Sequence, residues 1–243
     1  MARAPRLALA RELHYLIQRG HNGQAVFADD QDRTTYLSML HDTAVQYGVA
    51  IHAYSLLHAE VHLLATPTEA HALSRLMQSL GRRYVAAYNR RHGRSGTLWS
   101  GRFRAAPIDG AALGKEALVH VESLPVRAGL VAAAEDWPWS SAAHHLGRRR
   151  DPLVAEHMSY WAFGNTPFER ELAHADKLGE GVPDGLSESL TAAALRGSAL
   201  GPAPYRARVE LETGHRGPLR PRGRPVGRSG LKNKIVPNKR TKD

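Results

Sequence analysis

Cysteine is absent from all 243 residues, which excludes a disulfide framework and any metal site built on thiolates. Long apolar runs are missing as well. Nothing approaches the roughly 20 residues needed to span a bilayer, and no signal-peptide-like apolar stretch opens the chain. Both absences lead to the expectation of a cytoplasmic protein with no membrane contact. Acidic residues are scarce in one region only. Residues 205–243 hold 12 Lys+Arg against 3 Asp+Glu, a net of +9 out of +10 for the whole chain. The body before residue 205 is thus near neutral, and the tail is a polycation suited to nucleic acid or another polyanion.

What is present reads as alternating strands and helices. Residues 13–19 form a candidate opening strand, broken by Gly20, Asn22 and Gly23. Asp29 and Asp30 can cap a helix reaching Tyr47, which Gly48 ends. Two strands follow, over residues 53–57 and 61–65. A second helix starts at residues 67–69 and carries Leu73, Leu76, Met77, Leu80, Tyr84 and Tyr88 on one side, with Arg75, Arg82, Arg83, Arg90 and Arg91 on the other. A strand over residues 103–108 and a third helix over residues 110–123, stopped by Pro125, complete the series.

This order predicts an α+β, ferredoxin-like antiparallel sheet with helices packed on one face. Residues 1–147 make that domain, residues 148–203 a small helical C-terminal segment, and residues 204–243 a basic tail too rich in Pro, Gly, Arg and Lys to bury a core, so disordered when alone.

The organising stretch is residues 51–67, IHAYSLLHAEVHLLATP. Alternation along its second strand puts Glu60, His62 and Leu64 on one face, and Val61, Leu63 and Ala65 on the other. The second set is apolar and suited to pack on helices. A carboxylate and an imidazole two residues apart on one strand face can share a small divalent cation; a solvated face is the plainer reading of the same pair.

Several motifs fall in a fixed order: Arg19-Gly20, the Glu60-Val61-His62-Leu63-Leu64 strand, Asn89 through Trp99, Gly101-Arg102-Phe103, Pro125 through Val131, and Trp137-Pro138-Trp139-Ser140-Ser141. Together they resemble the REP-associated tyrosine transposases, a branch of the single-tyrosine HUH family. The resemblance implies cutting and rejoining of single-stranded DNA at hairpin-forming ends. In that family two histidines hold a divalent metal that polarises the scissile phosphate, and a tyrosine attacks it to form a covalent link.

The chain departs from this pattern at the chemistry. Glu60 stands at the first metal histidine, with His62 kept, so the resemblance implies a Glu/His pair suited to Mg2+ or Mn2+. His120 stands at the nucleophilic tyrosine, and Leu124 at an asparagine. An imidazole cannot give a phosphotyrosine.

The expected DNA contacts are Arg82, Arg83, Arg90, Arg91, Arg94, Arg102 and Arg127 in the body, with Arg220, Arg222 and Arg224 in the tail. These last three lie in Leu-Arg-Pro-Arg-Gly-Arg-Pro, residues 219–225, which resembles an AT-hook for A·T-rich duplex; an unspecific phosphate-binding tail has the same composition. The leading expectation is a DNA-binding transposase relative with impaired cleavage. The alternatives are an active nicking enzyme using Glu60, His62 and a substitute nucleophile, and an RNA-binding regulator on the same sheet. The sequence leaves the oligomeric state open.

Overall fold

In the computed structural model, which describes residues 7–214, strand β1 spans Leu13–Arg19. Helix α1 (Asp30–Tyr47) begins where the Asp29 side chain accepts from the Asp32 N–H, satisfying one of the unpaired donors of the first turn. It ends where Gly48 takes φ 63°, the left-handed conformation that favours glycine. Strands β2 (Val49–Leu56) and β3 (Glu60–Pro67) pair antiparallel. Helix α2 (Ala72–Arg91) starts a turn later than the sequence suggests, and β4 is Arg104–Ile108. The sheet order is β2-β3-β1-β4, with every neighbour antiparallel, the expected ferredoxin-like arrangement.

On one sheet face Leu16, Tyr54, Val61, Leu63 and Ala65 pack with Tyr36 and Leu40 of α1 and with Leu73, Leu76, Leu80 and Tyr84 of α2. The opposite face is covered too, which the sequence reading did not foresee. Helix α3 (Gly110–Arg127) lies there, followed by the short α4 (Ala142–His145) and α5 (Met158–Trp161), then α6 (Pro167–Glu180) and α7 (Asp184–Arg196). Tyr15, Ile17, Ala53, Leu64, Ala106 and Ile108 of the sheet share a core with Leu118 and Val121 of α3 and with Leu190, Ala193 and Ala194 of α7. The reason is visible in β1, whose Leu-His-Tyr-Leu-Ile run is buried at consecutive positions, so neither face can be left to water. The region expected as a helical appendage therefore contributes α7 to the main core.

Helix α3 also runs past the stop expected at Pro125. The ring removes only one N–H, in the last turn, and the turn closes around it through Ala128 N–H to Leu124 O (2.8 Å) and Leu130 N–H to Pro125 O (2.9 Å).

Both edges of the sheet are covered. Along β2, Leu56 N–H donates to Trp139 O (2.9 Å), and Ala155 N–H donates to Ile51 O (2.8 Å). Along β4, Asp109 N–H donates to Leu200 O (2.9 Å). Chain beyond the sheet thus blocks the unpaired backbone that would otherwise template another strand.

A further helix, α8 (Ala203–Thr213), lies inside the stretch expected to be a disordered tail. Tyr205 and Val209 bury against Leu7 and Leu9, and Arg208 pairs with Glu12 at 2.7 Å. Four apolar side chains and an ion pair sufficed where net composition suggested none would. No helix among the described residues is long and apolar enough to cross a membrane.

Candidate active site

The register places Arg19 opposite Glu60 and Ile17 opposite His62. Gly20 closes this end of the sheet. Its N–H donates to Ala59 O (2.7 Å), and a Cβ there would stand 2.1 Å from Gln24 O, so only glycine fits. His21 N–H donates to Leu98 O (2.9 Å) and Ser100 N–H to Arg19 O (2.8 Å). The loop after α2, carrying Arg94, is thereby tied beside Arg19 and Glu60, with Arg102 following it. Three separate sequence motifs meet at one end of the sheet.

Glu60 is the outward member of the pair, its side chain 30% exposed. One oxygen meets Arg19 Nε at 3.0 Å and the other His62 Nε2 at 3.1 Å. The His62 hydrogen bond holds the Glu60 carboxyl below its usual range; burial opposes this, and Arg19 adds to it.

Inward from His62 runs a chain of contacts that no spacing rule announced. His62 Nδ1 lies 2.7 Å from the Tyr15 hydroxyl, which lies 3.1 Å from His120 Nε2; His120 Nδ1 lies 3.0 Å from Ser187 Oγ on α7. His120, on α3, therefore sits behind the Glu60/His62 pair, but Tyr15 stands between them. Read one way, Ser187 donates to His120, His120 to Tyr15, Tyr15 to His62 and His62 to Glu60, with every imidazole neutral.

Neither Tyr15 nor His120 reaches solvent, at 0% and 1% exposure. Burial pushes the Tyr15 phenol well above its ordinary range. Burial first, then the neighbouring His62 and Arg127, push the His120 imidazole down to about 3. At neutral pH Tyr15 keeps its proton and His120 lacks a second one. Tyr84 and Tyr88 offer no substitute: both are buried in the α1–α2 core, and Tyr84 donates to Val26 O at 2.6 Å.

The pair fits a divalent ion in donor type and separation, two hard or borderline ligands about 3 Å apart. Tyr15 is also placed to accept from His62 Nδ1–H, the outer hydrogen bond that orients a ligating imidazole. Replacing Tyr15 by Phe should leave His62 Nδ1 and His120 Nε2 without their shared partner. We expect a loss of about 1–3 kcal/mol in urea denaturation at pH 7; an unchanged midpoint would show that the chain of contacts carries no stability.

The arginines divide into two groups. Arg83 pairs with Asp42 (3.2 Å), Arg91 with Asp29 (2.6 Å) and Asp32 (2.5 Å), and Arg127 with Asp184 (2.6 Å). These three have structural partners. Arg82, Arg90, Arg94 and Arg102 are exposed and carry no ion pair among the described residues. Arg220, Arg222 and Arg224 lie outside the described residues, as does the AT-hook-like run.

Sequence reasoning missed Tyr15 and Ser187. It also missed Glu122, His145 and His174, which converge on the far side of α3. Their separations along the chain, 23 residues between Glu122 and His145 and 52 between Glu122 and His174, match no local motif, so only the fold brings them together.

Comparison with known proteins agrees with this geometry. Residues 13–116 match the family model described as "Transposase IS200 like". No curated protein matches the sequence. A solved REP-associated tyrosine transposase, bound to a REP hairpin, superposes with a TM-score of 0.52 at 17% identity, over 65% of this chain and 92% of its own. A Deinococcus radiodurans R1 protein described as a candidate transposase aligns at 21% identity with a TM-score of 0.35, over 44% of this chain and 87% of its own. The matched segment, under half of the chain, holds the whole four-stranded sheet with Glu60 and His62, and over these residues the chain carries a domain of the IS200-like transposase type.

Proposed function

We propose that this protein binds hairpin-forming single-stranded DNA and that its strand-transfer chemistry is impaired. What carries the second half is His120, which the resemblance puts at the family's tyrosine: it is a buried imidazole, held between Tyr15 and Ser187. The phenols of Tyr84 and Tyr88 are buried in the α1–α2 core and do not take its place. Glu60 and His62 are the residues that would hold Mg2+ or Mn2+, and a bound ion would supply polarisation of a scissile phosphate. The rest falls to the chain itself. Arg19, 44% exposed beside Glu60, is placed to orient a phosphate at the sheet end. Arg82, Arg90 and Arg102 offer exposed guanidinium groups to the backbone of a folded strand, and Arg94, over the Tyr88 ring at 5.6 Å, offers another. The hairpin held by the similar REP-associated transposase supports this choice of ligand.

The binding half predicts a salt signature. Replacing Arg82, Arg90 and Arg102 with Ala together should weaken hairpin binding and lower the slope of log affinity against log salt by about 2, at about 0.7 per phosphate contact on single strands. Fluorescence anisotropy across salt concentrations measures it. An unchanged slope would remove these arginines from the interface. Equal affinity for the matching RNA hairpin would turn the reading toward an RNA-binding regulator. For the tail, we extend the proposal to A·T-rich duplex through Arg220, Arg222 and Arg224. Truncation for that test belongs after residue 214, since cutting at 205 would remove the packed helix α8.

A further inference from the structure

Two residues beyond His120, about 200° around α3, Glu122 points away from the sheet into the joint between α3, α4 and α6. Its side chain is 0% exposed, and so are those of His145 and His174. His145 Nδ1 lies 2.6 Å from Glu122 Oε1, and His174 Nε2 lies 2.7 Å from Oε2. Ser141 Oγ donates to Oε1 and helps fix the carboxylate. Rings wall the site: Tyr160 stands 4.5 Å from the His145 ring, and Phe163 stands 5.2 Å from the His174 ring, centroid to centroid. This is a dry pocket in which an ionised carboxylate needs a countercharge.

A proton on either imidazole would be one countercharge, and a cation held between both rings and the carboxylate would be another. The outer nitrogens, His145 Nε2 and His174 Nδ1, have no hydrogen-bond partner among the described residues. Meanwhile two imidazole nitrogens and a carboxylate oxygen converge within 4.8 Å of one another. Two histidines and a glutamate, with water as the fourth ligand, form a known tetrahedral zinc ligand set, and the mixed nitrogen and oxygen donors favour Zn2+ over Mg2+. The lack of cysteine excludes thiolate zinc sites and leaves this kind open.

We propose that Glu122, His145 and His174 form a Zn2+ site that staples α4 and α6 to α3, the helix that carries His120. It is separate from the Glu60/His62 pair, which lies on the sheet side of α3. Its role is structural, because all three ligands are closed to solvent. One consequence is that α4 and α6 depend on metal for their docking on α3, although the sheet core, α7 included, does not.

The test uses full-length protein loaded with Zn2+, freed of excess metal and measured by inductively coupled plasma mass spectrometry. We expect one tightly held equivalent that survives Glu60→Ala and His62→Ala and is lost in Glu122→Gln and His174→Asn. Chelation should lower the melting temperature by several degrees in wild type and leave Glu122→Gln unmoved. Should those variants fail to fold, Co2+ loading of the wild type gives a second reading, with the intense visible absorption of a tetrahedral site expected. Zinc content equal in wild type and Glu122→Gln would overturn the proposal. So would a wild type that holds no metal and shows no Co2+ absorption, which would leave a hydrogen-bonded cluster without metal.

Discussion

Incubated with labelled hairpin DNA and Mn2+, the wild-type protein should leave no acid-stable protein–DNA adduct on a denaturing gel. Loss of a nucleophilic side chain lowers turnover by up to on the order of 10^6 where it has been measured, and the side chain that the resemblance puts at that position here is an imidazole with 1% exposure. A phenolate bonded to phosphorus can leave again, so the strand can be resealed. An imidazole would give a labile P–N bond that water destroys instead.

The geometry also limits rescue. His120→Tyr enlarges a side chain already held between Tyr15 and Ser187, an overpacking that costs about 1–3 kcal/mol, and the new phenol would still lie behind Tyr15. We expect no band from His120→Tyr alone and none from Glu60→His alone. A weak band should first emerge when both are combined with Tyr15→Ala, which opens the path from residue 120 to His62. A strong band from wild type would sink the impaired reading, and the peptide carrying the adduct would identify the substitute nucleophile. An adduct that survives base but not acid would point to His120 itself.

How much of this was legible in the sequence depends on how local the cause was. The bounds of β1 and α1 follow from residues beside them: Gly20 breaks the strand, Asp29 caps the helix and Gly48 ends it. The Glu60/His62 pair was legible because a period of two puts both on one strand face. Tyr15 has the same period, but alternation tells only its face. That it bridges His62 to His120 depends on α3 lying across the sheet. Helix α7 was read as part of an appendage because its apolar residues Leu190, Ala193 and Ala194 look like those of any amphipathic helix. What assigns them to the sheet is the second apolar face of β1, which has to be covered. Helix α8 was hidden by charge, since Tyr205 and Val209 stand among arginines and only their contact with Leu7 and Leu9 makes them core.

Below pH 6.5 the fold should lose stability steeply, driven by histidines buried as neutral rings. His14 is 0% exposed and its imidazole is lowered to about 4, by burial, with the hydrogen bond to Glu12 O opposing. His52 is 5% exposed and also lowered to about 4, by burial, with Ala155 O opposing and with His157 and His145 adding to the shift. Its ring bonds Ala155 O at 2.6 Å and Thr66 Oγ1 at 2.9 Å, and the His157 ring stands 4.7 Å away. The ordinary value for the unfolded chain is about 6.5.

Both states are therefore neutral above pH 6.5, and the full stability is present there. Between pH 6.5 and 4 the unfolded chain binds protons at His14, His52 and His120 that the native state refuses, His120 being lowered to about 3, so stability falls with pH by up to about 4 kcal/mol per unit. By pH 4 the loss reaches about 3 kcal/mol for each ring, comparable with the whole stability of a small domain at about 5–15 kcal/mol. Urea denaturation at pH 7.5, 6, 5 and 4.5 measures the slope. His14→Gln and His52→Gln should each lower stability at pH 7.5 yet flatten the pH dependence by about a third, because glutamine has no proton to gain. A stability that stays level from pH 7.5 to 4.5, or a slope unchanged in the double variant, would show that these rings are not the acid-sensitive groups of the fold.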